Sequence, residues 1–98
     1  MKLIFEWDIK KAKTNLRKHG IDFYEAKTIF SDPSLHTFKD DFHSEMEDRY
    51  ISIGISLKSR VLLVVHLELE RSPGETIIRI VSSRKATKNE RKVYEKER

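Results

Sequence analysis

The chain has 98 residues, 38% apolar and 37% charged, which is below the ~150 at which a second domain is expected and leaves only a small core. It contains no cysteine, so disulfides, thiolate metal sites and a thiol nucleophile are excluded. The net charge of +4 is unevenly placed: residues 1–20 carry six Lys/Arg against two Asp/Glu, residues 84–98 seven against three, and residues 32–48 one against six.

The elements follow in chain order. Leu3, Phe5 and Trp7 alternate with Lys2, Ile4 and Glu6, the period of a short strand. Asp8 is an N-cap for a helix over about 9–19, with Ile9, Ala12 and Leu16 as its apolar stripe and Gly20 as its stop. Asp22 and Glu25 form a D-x-x-E capping box for a second helix. Its buried stripe is Phe23, Ala26, Ile29 and Phe30, and Asp32-Pro33 ends it. Residues 34–38 are a candidate short strand, and residues 39–48 a polar loop. Three stronger strands follow over 49–56, 61–67 and 75–82. The second is apolar on both faces and therefore central. Short connections at 57–60 and 70–74 imply antiparallel hairpins. Thr87 and Glu90 make a second capping box for a last helix over about 87–97, anchored only by Ala86, Val93 and Tyr94.

Helices and strands segregated in this way define an α+β domain: an antiparallel β-sheet of four to five strands, two N-terminal helices and one C-terminal helix, in a single unit spanning 1–98. Residues 1–7 lack an apolar stretch of signal-peptide length, and the longest apolar run, 61–65, is far short of the roughly 20 residues of a membrane helix. A cytoplasmic protein is expected. Two basic ends around an acidic middle point to one side facing a polyanion, although a solvated face is the plainer reading of any single charge run.

RNA can be cleaved without metal when its own ribose 2′-hydroxyl attacks the adjacent phosphate. A base, an acid and cations placed where charge develops are then sufficient. Lys18 and His19 place an ammonium and an imidazole at a helix end, where a C-capping role is the alternative. Arg79 lies among Ile77, Ile78, Ile80 and Val81, and is either aimed at an anion or paired with a carboxylate such as Glu6 or Glu68. The same choice applies to Arg49, which opens another strand. Arg84 and Lys85 precede a helix N-terminus, which itself favours anions; a solvated junction is the alternative. Tyr94 is either the packing anchor of the last helix or a phenol that reaches RNA. His66, in the run LLVVHL, reads as a core histidine. His36, Asp40, Asp41, His43 and Glu45 match no strong metal-ligand spacing. No phosphate-binding loop, dinucleotide fingerprint or nucleophile elbow occurs. By themselves the residues describe a small basic α+β domain acting on nucleic acid.

An ordered set of motifs adds to this. Phe5-Glu-Trp-Asp8, Asn15-Leu-Arg-Lys-His-Gly20, Phe30-Ser-Asp-Pro33, His43-Ser-Glu45, Arg49, Leu63-Val-Val-His66 and Ile78-Arg-Ile-Val-Ser-Ser-Arg-Lys-Ala-Thr87, running into Glu90-Arg91 and Tyr94-Glu95, resemble the BrnT family of type II toxins. The resemblance implies a RelE-like fold and a metal-independent endoribonuclease that blocks translation and needs no cofactor. It also implies neutralisation by a BrnA-type antitoxin, whose ribbon-helix-helix domain dimerises and binds promoter DNA, with two toxins on one antitoxin dimer. On these motif positions the expected catalytic residues are His19, Arg49, Arg79 and Arg84, and the expected RNA-phosphate contacts are Lys18, Lys85 and Tyr94. Two other classes compete: a non-catalytic nucleic-acid-binding module, showing salt-sensitive binding without cleavage, and a protein-interaction subunit with no affinity for nucleic acid.

Overall fold

The structure, a computed structural model, describes residues 2–42 and 48–97. In chain order the elements are β1 (Lys2–Glu6), α1 (Ile9–His19), α2 (Phe23–Thr28) continued by a 3-10 turn (Ile29–Ser31), β2 (His36–Lys39), β3 (Arg49–Ile55), β4 (Val61–Ser72), β5 (Glu75–Lys85) and α3 (Lys88–Glu97). One five-stranded sheet runs β1-β5-β4-β3-β2. It is antiparallel from β2 through β5, while β1 adds to the edge parallel to β5. The fold is thus α+β with a mixed sheet. No hairpin joins β1 to β5, so nothing imposes the antiparallel direction there. No helix among the described residues is long and apolar enough to cross a membrane.

The central hairpin is longer than the sequence predicts. β4 continues to Ser72 and β5 to Lys85, leaving Pro73-Gly74 as a two-residue turn with Gly74 at φ 84°. Alternation through Leu67-Glu68-Leu69-Glu70 carries the strand past its expected end at residue 67.

The caps follow from sequence with one change. The Asp8 carboxylate accepts from the N–H groups of Lys10 and Lys11, and Gly20 closes α1 at φ 71°. Thr87 and Glu90 bond each other's backbone N–H reciprocally. The box at Asp22 forms only by half: Asp22 accepts from the Glu25 N–H at 2.7 Å. The Glu25 carboxylate turns inward to Ser56 and Arg60 instead.

One face of the sheet carries the main core. Ile21, Phe23, Ala26 and Ile29 pack on Leu62, Val64, Ile78 and Ile80, the stripe expected of α2. The stripe expected of α1 is a correction. Ile9 and Leu16 are 68% and 49% exposed, and Ala12 alone of the three packs against the core. The buried residue of α1 is Asn15. Its amide donates to the Ile21 and Ser83 carbonyls, both at 2.9 Å, and accepts from the Ser83 N–H at 3.0 Å. A side chain thereby takes the place of a neighbouring strand where β1 has ended. At the opposite side of the sheet, Asp32 accepts from the Ile55 N–H at 2.8 Å. Gly54 leaves room for that approach, since a Cβ there would stand 3.0 Å from Leu35 Cδ1 and 3.2 Å from Ile29 Cβ.

His66 is a core histidine, as its setting predicts. Nε2 lies 2.7 Å from the Ser52 hydroxyl, and burial lowers its pKa to about 4. The imidazole is therefore neutral at pH 7, and its 3.7 Å approach to Glu68 is too long for a hydrogen bond and is not an ion pair.

Candidate active site

The opposite face of the sheet is only partly covered. α3 rests on it through Tyr94, which packs with Ile53 and Leu63. This face carries all three arginines, and a backbone irregularity is the reason. Side chains alternate along a strand, so strict alternation in β5 would put Arg79 and Arg84 on opposite faces. The pairing register breaks between Val65 and His66, which face Ser82 and Ile80, leaving Val81 as an extra residue. This bulge restores the parity. Arg79 stands opposite Leu67 and Arg84 opposite Leu63, and Arg49 of β3 stands opposite Leu67 from the other side. All three arginines therefore lie on the face away from α1 and α2. Arg49 and Arg79 share one cross-strand row, two strands and roughly 10 Å apart.

Between α3 and the end of α1 this face holds a cavity of about 540 Å³. Its floor is Ile51, Ile53, Leu63 and Val65, and its polar wall is His19, Ser82, Arg84 and Glu90. His19 reaches it because Gly20 ends α1 beside the exposed edge of β5, and Asn15 ties that turn of helix to Ser83. Arg49 and Arg79 do not line the cavity; they continue the same face along the row of Leu67.

Arg84 and Arg79 bond carboxylates. Arg84 bonds Glu90 through both nitrogens, at 2.8 and 3.0 Å, which lowers the Glu90 carboxyl and raises the guanidinium. Arg79 bonds Glu6 at 2.7 Å, with side chains 43% and 42% exposed. Glu6 is one of the two partners foreseen for Arg79, but the pair is open to solvent rather than buried. Such exposed pairs are worth little, so an incoming phosphate can compete for the cation.

The remaining expected residues separate. Lys18 is exposed on the last turn of α1 and lines, with His19, a second groove. Lys85 lines a different, smaller hollow with Arg60 and Arg91. Tyr94 is a correction to the expected RNA contact: it is 2% exposed, and its hydroxyl donates to Asp32. Of its two readings, the packing anchor is the one observed. His43 and Glu45 lie outside the described residues. Among the described residues no group of three or more His, Asp or Glu is placed to hold a metal ion.

Sequence reasoning missed two contributors. Glu90 read only as a helix cap, yet it also clamps Arg84 and lines the cavity. Asn15 appeared only inside a motif, although a polar residue at a buried helical position is itself a signal. Nothing in the sequence marks the bulge at Val81.

The family model for the ribonuclease toxin BrnT of type II toxin–antitoxin systems matches residues 7–90. The chain belongs to the BrnT family. It is thus a ribonuclease toxin of a type II system, with an antitoxin as its partner. The crystal structure of the Brucella abortus ribonuclease toxin BrnT superposes with a TM-score of 0.64 at 22% identity, covering 90% of this chain and 100% of that one. At that identity the likeness shows the fold. No curated protein matches the chain. The stretch shared with the BrnT family holds Asn15, His19, Arg49, Arg79, Arg84 and Glu90, and ends before Tyr94.

Proposed function

We propose that this toxin is a metal-independent endoribonuclease whose active site is the exposed sheet face carrying Arg49, Arg79 and Arg84, with His19 at its rim. The reading rests on one observation: the bulge at Val81 turns Arg79 and Arg84 to the same side as Arg49. The RNA 2′-hydroxyl attacks the adjacent phosphorus and gives up its proton. The bond to the 5′-oxygen breaks, and that oxygen takes a proton. The products are a 2′,3′-cyclic phosphate and a 5′-hydroxyl. His19 exchanges protons in this scheme, since an imidazole has one ring nitrogen that accepts a proton and one that donates. The arginines bind the phosphate and the added charge of the transition state, and Lys18 holds a neighbouring phosphate. Charge is thereby met by side chains, without a metal ion.

The cellular reading follows from this chemistry. Cutting RNA stops translation, and a cytoplasmic BrnA-type antitoxin with a ribbon-helix-helix domain neutralises the toxin, two toxins on one antitoxin dimer. Promoter DNA is reached through the antitoxin alone. Expression of the toxin without antitoxin should arrest growth, and co-expression with the ribbon-helix-helix partner should restore it. The combined variant His19→Ala, Arg79→Ala and Arg84→Ala should be harmless; if it still arrests growth, the assigned roles are wrong.

One observation favours a second reading, a non-catalytic RNA-binding subunit: Arg79 and Arg84 each already bond a carboxylate. That reading predicts RNA binding with no cleavage and no effect of removing His19.

A further inference from the structure

A second hollow adjoins the cavity at His19. It is a groove of about 370 Å³ between α1 and the edge of β5, lined by Lys10, Lys11, Thr14, Lys18 and His19 on one wall and Val81 and Ser82 on the other. His19 and Ser82 line both hollows, so the two lie side by side at the end of α1.

The groove exists because β1 stops at Glu6, opposite Arg79, leaving β5 without a strand partner on that side from Ile80 onward. The bulge at Val81 and the Asn15 amide occupy the inner part of the gap, and the lysines stand over the rest. α1 carries Lys10, Lys11, Lys13, Arg17 and Lys18 and no carboxylate. Lys10, Lys11 and Lys18 form no ion pair among the described residues, unlike Arg79 and Arg84. Lys11 and Lys18 are two turns apart on one helix face, roughly 10 Å along the axis. Nucleic-acid strands carry a charge every ~3.4 Å when stacked, so that span meets more than one phosphate.

We infer that this groove is an extended RNA site: it holds the phosphodiester backbone flanking the cleaved bond, with Lys10 and Lys11 as its outer contacts. The inference rests on the ribonuclease reading and assigns the substrate as a single strand several nucleotides long that crosses α1 before entering the cavity. An acidic segment of the antitoxin is the competing occupant; the wall of His19 and Ser82 shared with the cavity favours RNA.

The test is binding of a fluorescent single-stranded RNA, 2′-O-methylated so that it cannot be cut, across a salt series. Wild type is compared with Lys10→Gln/Lys11→Gln and with a control, Lys92→Gln/Lys96→Gln, on the exposed side of α3. The groove variant should bind about tenfold more weakly, with a salt slope shallower by about 1.4, at ~0.7 per lost phosphate contact. The control should match wild type, and thermal midpoints should agree because all four lysines are exposed. Equal binding by wild type and groove variant, an equal loss in the control, or a loss of antitoxin affinity in place of RNA affinity would each overturn the inference. Cleavage of unmodified RNA is scored separately: a protein that binds through the groove but cuts nothing contradicts the ribonuclease reading and leaves the groove standing.

Discussion

Arg84 and Glu90 are joined by two parallel hydrogen bonds while the same carboxylate caps α3 through the Thr87 N–H, 2.8 Å away. The end of β5, the start of α3 and the wall of the cavity are thus fixed by one side chain. Glu90→Gln keeps the capping oxygen but removes the charge that occupies the guanidinium. RNA affinity should rise, measured on the uncleavable strand, while the thermal midpoint falls slightly, by an amount equivalent to about 1 kcal/mol. Unchanged or weaker RNA binding would mean that Arg84 does not face the substrate.

Asn15 supplies three hydrogen bonds in a buried setting. Asn15→Ala leaves the Ser83 backbone without its partner, and an orphaned buried group costs about 1–3 kcal/mol. Denaturant unfolding should show a loss of that size, and the Ser83 amide should exchange faster with solvent. Protection of Ser83 at the wild-type level would show that its N–H needs no help from α1.

Glu25 is 2% exposed, and Arg60 caps it from the surface. Removing one member of such a pair strands a buried charge, so Arg60→Ala should cost roughly 3 kcal/mol, read from chemical unfolding at pH 7. The Arg60 guanidinium, chiefly by hydrogen bonding, holds the Glu25 carboxyl below its ordinary 4.5. The same is true of Glu90 beside Arg84. Both contributions are present above that pH and are lost as it falls through the depressed values.

His66 adds a second pH window. In the unfolded chain its imidazole takes a proton near 6.5, but burial holds this back to about 4 in the fold. The folded state binds fewer protons between these values, so stability rises with pH across them. A shift of this size is worth roughly 3 kcal/mol at most, fully present above 6.5 and lost as pH drops toward 4. His66→Gln should flatten the stability profile between pH 4 and 6.5 while leaving the carboxylate slope below 4.5. A variant with the wild-type slope would place the titrating group elsewhere.

Where hydrophobic period or cap chemistry fixes an element, the sequence was sufficient. Asp8 to Gly20 bounds α1, and Thr87 with Glu90 starts α3. The apolar run in β4 puts that strand at the centre. What escapes is decided by partners far away in the chain. The α1 stripe looked buried because Ile9, Ala12 and Leu16 are apolar. The face that meets β5 is instead chosen by an amide that completes a strand edge 68 residues on. The candidate site was legible as residues but not as a place. Counting alternation from Arg79 separates it from Arg84; only the extra residue at Val81 unites them, and no local residue pattern announces it. Tyr94 was readable both ways until its hydroxyl was found against Asp32.

The most direct test of the account is the end chemistry of RNA cut by the purified toxin in the presence of EDTA. Wild type should yield fragments ending in a 2′,3′-cyclic phosphate and a 5′-hydroxyl. His19→Ala should slow their appearance by at least ~100-fold, the lower range for a lost acid–base group, with the fold intact by circular dichroism. Undiminished cutting by His19→Ala, or fragments that form only with divalent metal and carry 3′-hydroxyl and 5′-phosphate ends, would contradict it.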